Sequence, residues 1–393
     1  MYLKALCLVL AIAVLLLSAS LGEGREKKAK GGRTLIDGPS GNSVDPFSSH
    51  ILKRVGQAKK LLHSKKAGHK ICHTRKKAFI GKGMRRHLKA WAVRYPCGIN
   101  FLIAVVGKAE VAKKNGKVEF IRLKPGQYQW KGFSVVRGRP SGVGTRFIVK
   151  YPQNYIVLAT KSAVKMGQNG TQEVVNTPYS QNLDLPGIRR VGLNYLTSVI
   201  KEAKGELRRR RVYSRAIPGK LVADIIPVRV AVVIGIDEHI DHYRFLTESP
   251  GALIREVKVI LGANKSHAYR WSVSSAGARG LWQVMPGTYR DMRRLYPRAR
   301  LNSSFISGMN DHKNAAMAAL CLLDFSLAQL RSNHLNSLKR NPRTLGRYLA
   351  AAYNCGPGCA RHRLERYGKN WTGRLPSEAR LYVRKFDTIW NTL

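Results

Sequence analysis

The sequence predicts an α+β protein, a β-rich α+β domain followed by an all-α domain. Two textures predict it. Between about Ile99 and Ile236, short runs of β-branched and aromatic residues are punctuated by Gly, Pro and Asn. Beyond about Pro250 the apolar residues recur at helical spacing instead. A chain of 393 residues, 44% of them hydrophobic, is long enough for two cores.

Residues 1–20 read as a secretory signal peptide, with a short charged start, an apolar run from Ala5 to Leu17 and a Ser-Ala-Ser exit. The run is short for a membrane span. The mature chain is therefore expected to be secreted or periplasmic and associated with the cell envelope. Residues 21–98 form a basic segment. It opens as a Gly-, Ser- and Lys-rich linker and continues as an amphipathic helix over Ile51–Leu62. The apolar face of that helix suits either its own domain or an anionic surface.

Residues 99–243 form the α+β domain. Strands are expected over Phe101–Val106, Val118–Leu123, Phe147–Tyr151, Tyr155–Ala159 and Val228–Ile236, with one helix over about Gly187–Arg211. Residues 244–393 form the all-α domain. Ser249-Pro250 supplies an N-cap and a first-turn proline. Further helices are expected over about His312–Gln329, Thr344–Tyr353 and Ser377–Trp390.

The charge restricts the partners. Seventy Lys and Arg against 22 Asp and Glu give a net charge of +48, which favours a polyanion. An anionic membrane or wall surface fits. The signal peptide and the lack of a recognisable binding module argue against nucleic acid. Besides Cys7 there are five cysteines, so at least one thiol stays free unless it bonds to another chain. Cys72–Cys97 is the expected pair on proximity, and Cys355 and Cys359 lie one helical turn apart. Without a second close ligand pair, no metal or other cofactor is expected.

Three motifs carry chemistry. They are Ser274-Ser-Ala-Gly-Ala-Arg-Gly-Leu-Trp-Gln-Val-Met-Pro-Gly-Thr288, Ala352-Tyr-Asn-Cys-Gly-Pro-Gly358 and Leu375-Pro-Ser-Glu-Ala-Arg-Leu-Tyr-Val383. In this order and spacing they resemble the sugar-cleft motifs of the soluble lytic transglycosylase family. The resemblance covers the C-terminal third and implies a lysozyme-like fold. It also implies peptidoglycan glycan strands as partner, cleaved between N-acetylmuramic acid and N-acetylglucosamine to 1,6-anhydro products. Substrate-binding positions carried over are Ser266, Ser274, Gln283, Met285, Tyr353, Asn354 and Tyr382. Gln283 can hydrogen-bond an N-acetyl or hydroxyl group, Met285 can touch a sugar face, and the Tyr353 hydroxyl can polarise a neighbouring acid.

The family's reaction uses one carboxylic acid, about twelve residues before the glycine that is Gly277 here and followed by serine. Counting back without a gap gives Lys265-Ser266, and a lysine ammonium is a poor proton donor near neutral pH. The domain then keeps only glycan binding, or the acid comes from elsewhere, or the count slips locally. Among the acids after Leu246, Glu256 lies on the right helix, about 13 Å earlier along its axis, and Glu378 matches a position that lines or braces the cleft. Both are retained as catalytic candidates. The expected function is an exported peptidoglycan-directed lytic transglycosylase. The alternatives are a non-catalytic peptidoglycan-binding or scaffolding protein and a general polyanion binder.

Overall fold

The fold is described from a computed structural model over residues 44–67, 69–80, 87–124, 126–138, 144–166 and 170–393, with the backbone alone for the parts that fall in 68–99 and 164–171. The expected signal peptide and most of the linker lie outside the described residues. The expected Cys72–Cys97 pair lies outside the described side chains.

Helix α1 (Pro46–His63) starts on an N-cap, the Asp45 carboxylate accepting from the Ser48 amide at 2.8 Å. Among the described residues nine strands follow: β1 (His69–Ile80), β2 (His87–Ile99), β3 (Phe101–Gly107), β4 (Glu119–Leu123), β5 (Gln129–Trp130), β6 (Phe133–Arg137), β7 (Phe147–Tyr151), β8 (Tyr155–Met166) and β9 (Gly170–Asn176). All pairings are antiparallel: a β1-β2 hairpin, a four-stranded sheet in the order β4-β3-β8-β9, and a three-stranded sheet β5-β6-β7.

Strand β3 is apolar throughout because both of its faces are covered. Leu102, Ala104 and Val106 pack with Ile51, Val55, Ala58 and Leu62 of α1, while Ile103 and Val105 pack with Val135, Phe147 and Val149 of the smaller sheet. The apolar face of the basic helix is thus spent on its own sheet.

The remaining helices are α2 (Pro186–Arg209), α3 (Val222–Ile225), α4 (Val228–Asp237), α5 (His242–Thr247), α6 (Pro250–Asn264), α7 (Pro286–Leu295), α8 (Phe305–Asn310), α9 (His312–Ala328), α10 (Ser332–Lys339), α11 (Pro342–Cys355), α12 (Pro357–Tyr367) and α13 (Ser377–Thr392). The expected strand over Val228–Ile236 is instead helix α4. Every residue from Val230 to Asp237 is buried, and a helix enclosed on all sides has no polar stripe to reveal its period.

The core of the helical lobe crosses the expected division at 243/244. It takes in Leu196, Ile200, Ala203 and Leu207 of α2 and Val230–Ile234 of α4, together with α6, α9, α11 and α13. Helices α2 and α6 cross with their backbones nearly touching. A Cβ at Gly192 would run into the Lys258 carbonyl, and one at Gly262 into that of Ile188. Cys355 and Cys359 form a disulfide joining the end of α11 to α12, with 5.8 Å between their Cα atoms, and Cys321 is a buried free thiol. Among the described residues no helix is long and apolar enough to cross a membrane, and no cluster of metal ligands occurs.

Candidate active site

The C-terminal end of α4 carries Asp237, Glu238 and His239 into the middle of the helical lobe. Tyr382, on α13, donates its hydroxyl proton to Glu238 Oε1 at 2.6 Å. Glu238 is partly exposed, so a ligand can reach it. Protein nevertheless crowds the carboxyl, and burial pushes it up to about 8, against the opposing pull of the Tyr382 hydrogen bond. It therefore holds its proton at neutral pH. Tyr353, near the end of α11, donates to the Trp282 carbonyl at 2.6 Å. Its phenol is pushed well up by burial and by the charge of nearby Glu238. Two motif tyrosines thus stand around one proton-holding carboxyl.

The neighbours of Glu238 fix the helix end. Asp237 is fully buried and meets the Lys385 ammonium of α13 at 2.6 Å. That contact is an ion pair rather than a well-angled hydrogen bond, and Asp237 Oδ2 has no partner. Burial raises the Asp237 carboxyl, with Lys385 opposing. Lys385, itself 2% exposed, also donates to the Asp237 carbonyl at 3.0 Å and the Ile240 carbonyl at 2.8 Å. It thereby closes the turn that bears Glu238. On the other side His239 donates from Nε2 to the Leu281 carbonyl at 2.9 Å and stacks on Tyr269, ring centroids 3.5 Å apart. Burial holds His239 down at about 3, so it stays neutral.

The loop over 277–285 supplies the facing wall. Gly277 and Gly280 both have positive φ, and a Cβ at Gly280 would strike the Met309 carbonyl. This bend presents the Leu281 and Trp282 carbonyls to His239 and Tyr353. Gln283 spends its amide nitrogen on the Gly280 carbonyl at 2.7 Å, and Met285 is exposed. Ser274 Oγ accepts from the Ala278 amide at 3.0 Å, closing the same turn. Asn354 is exposed beside Tyr353.

Tyr353, Tyr382 and the loop bearing Gln283 therefore converge on Glu238; the two expected carboxylates do not join them. Glu256 is engaged by two guanidiniums, with Arg244 at 2.8 and 3.2 Å and Arg146 in close contact. Both oxygens of that carboxylate are taken up by guanidiniums rather than turned toward the motif tyrosines. Glu378 lies exposed in the first turn of α13, one turn before Tyr382 on the same helix face, at the rim rather than the centre. Lys265 and Ser266 are exposed at the C-terminal end of α6, and the charge of Lys265 acts on Lys59 of α1. The missed residues are Asp237, Glu238, His239 and Lys385. The available signal was an acid closing a long apolar run. Read as a strand, that run hides it.

Residues 263–372 match the family model of the Transglycosylase SLT domain. That span holds the glycine-rich loop and Tyr353; Glu238 precedes it and Tyr382 follows it. Neither the curated proteins nor the solved structures contain a match to this chain.

Proposed function

With a lytic transglycosylase-type SLT domain in the C-terminal region, we propose that this chain cleaves peptidoglycan glycan strands between N-acetylmuramic acid and N-acetylglucosamine, and that Glu238 is its acid. One observation carries this reading: among the described residues the only carboxyl hydrogen-bonded to a motif tyrosine is Glu238, which meets Tyr382 at 2.6 Å and is held protonated by burial.

Protonated Glu238 donates to the bridging glycosidic oxygen, and the bond from that oxygen to the muramic anomeric carbon breaks. The carboxylate left behind takes the proton of the muramic 6-hydroxyl. The 6-oxygen then bonds to the anomeric carbon, closing the 1,6-anhydro ring and returning Glu238 to its acid form. No water is consumed, so no second carboxylate is needed to activate one, unlike paired-carboxylate hydrolysis. Tyr382 supports the ionised form by its hydrogen bond. Lys385 keeps the turn in place, and His239 anchors it to the facing loop.

Export to the cell envelope belongs to the same proposal, supported by the apolar N-terminal run; the cationic charge suits carboxylate-bearing wall polymers. Lys265, the residue that motivates a non-catalytic reading, is exposed at the end of α6, while the two tyrosines bond to Trp282 and Glu238. Purified protein incubated with murein sacculi should release anhydro-muropeptides detectable by mass spectrometry. Glu238→Gln should lower release by about 10²–10⁴-fold while still pelleting with sacculi. Undiminished release from Glu238→Gln would remove this residue from the role.

A further inference from the structure

A cavity of about 410 Å³ lies against the small three-stranded sheet, around the turn of the β5–β6 hairpin. The hairpin turns on Lys131 and Gly132, both with positive φ, as a tight two-residue turn requires. Trp130 and Phe133 edge the core beneath, and Tyr151, at the end of β7, is 63% exposed. Gln127, Gln129 and Ser134 complete the lining. The cation of Lys131 lies 5.6 Å from the Trp130 ring centre.

We infer that this cavity is an accessory saccharide-binding site that grips a peptidoglycan glycan strand away from the cleft. The lining has the chemistry that a pyranose requires. The exposed Tyr151 ring, with half-buried Trp130, receives the apolar C–H face of the ring, while the Gln129 amide and the Ser134 hydroxyl receive its hydroxyl and N-acetyl groups. The cavity falls in the size range of small-ligand sites and fits a sugar unit or two. No carboxylate lines it, and Lys131 is placed to meet an acidic substituent of the strand. The choice of glycan rests on the proposed peptidoglycan function; the aromatic and amide lining does not.

The test separates the two. In the Glu238→Gln background, where cleavage is removed, Trp130→Ala and Tyr151→Ser should each weaken pelleting with purified sacculi roughly tenfold. Both should leave anhydro-product release from a short soluble muropeptide tetrasaccharide unchanged when made in the wild-type background. Tyr151→Ser guards against misfolding, since that side chain is largely exposed. Binding of N-acetylglucosamine tetrasaccharide, followed by saturation-transfer NMR, should be lost in the same variants. Undiminished sacculus binding in Tyr151→Ser and Trp130→Ala overturns the site. Equal losses on sacculi and on single-stranded DNA also overturn it, as a polyanion surface rather than a saccharide site. A Glu238→Gln protein that still cleaves, with binding lost in the aromatic variants, refutes the catalytic reading and leaves the accessory site standing.

Discussion

Two helix ends, of α4 and α6, compete for the role of proton donor; one has the motif and the other has the enclosure. The end of α6 has the serine and the spacing of the family pattern, yet Lys265 there is exposed, with φ of 48°, and feels the charge of another lysine, Lys59. The end of α4 has neither the spacing nor the serine. Its Glu238 is crowded by protein, hydrogen-bonded to a motif tyrosine and raised to about 8. A proton donor at neutral pH is made by desolvation and by its neighbours. A count along the chain finds it only when the intervening segment has a constant length, and here α5 and α6 intervene between Glu238 and Gly277.

The contrast is broken most severely by exchanging the two ends. Glu238→Gln should cost two to four orders of magnitude in anhydro-product release, whereas Lys265→Ala should stay within about twofold. A large loss in Lys265→Ala would return the role to α6.

Removing the ammonium beneath the α4 end should have the next largest effect. Lys385→Met leaves the fully buried Asp237 beside Glu238 without its partner and should cost about 3–5 kcal/mol in urea denaturation. Asp237→Asn in the same chain should recover most of the loss. Failure to recover would show that the carbonyl contacts of Lys385, not its charge pairing, hold the turn.

A smaller effect tunes the same site. The Tyr382 hydrogen bond favours the ionised form of Glu238, so Tyr382→Phe should move the alkaline limb of the pH–rate profile upward from about 8, with a stability loss of about 1 kcal/mol. A downward shift would contradict the assigned direction.

Smallest is the effect on stability with pH. Glu238 and Asp237 are raised in the fold, so the folded chain binds more protons than the unfolded one above the ordinary carboxylate range. Their stabilising contribution is complete at low pH and is lost as pH rises, the last part through about 8. His239 and His312, both held down by the surrounding protein, act in the opposite sense, but only below the ordinary histidine range. Between pH 6.5 and 7.5 the Tm should therefore fall, by an amount equivalent to about 1 kcal/mol after discounting for partial exposure; nearer pH 8 the deprotonation of Lys59, which burial holds down at about 8, acts in the opposite sense. Glu238→Gln should flatten the fall.

Much of the fold was legible. The strands over 101–107 and 147–151 and the helices from Pro186, Pro250 and His312 follow from β-branched runs, from apolar spacing and from prolines at helix starts. Helix α4 was not, because it is surrounded by protein and carries no polar face. Of the site, Tyr353 and Tyr382 were legible because their motifs are local. Glu238 was not, because it sits on that one misread helix. The Asp237–Lys385 pair joins residues almost 150 positions apart, and nothing local in the sequence announces it.

The comparison of the two helix ends is tested most directly by placing a carboxylate at the α6 end in a chain disabled at the α4 end. In Glu238→Gln/Lys265→Glu, anhydro-muropeptide release from sacculi should remain as low as in Glu238→Gln alone. Restoration of release would contradict the account and make residue 265 the acid's position.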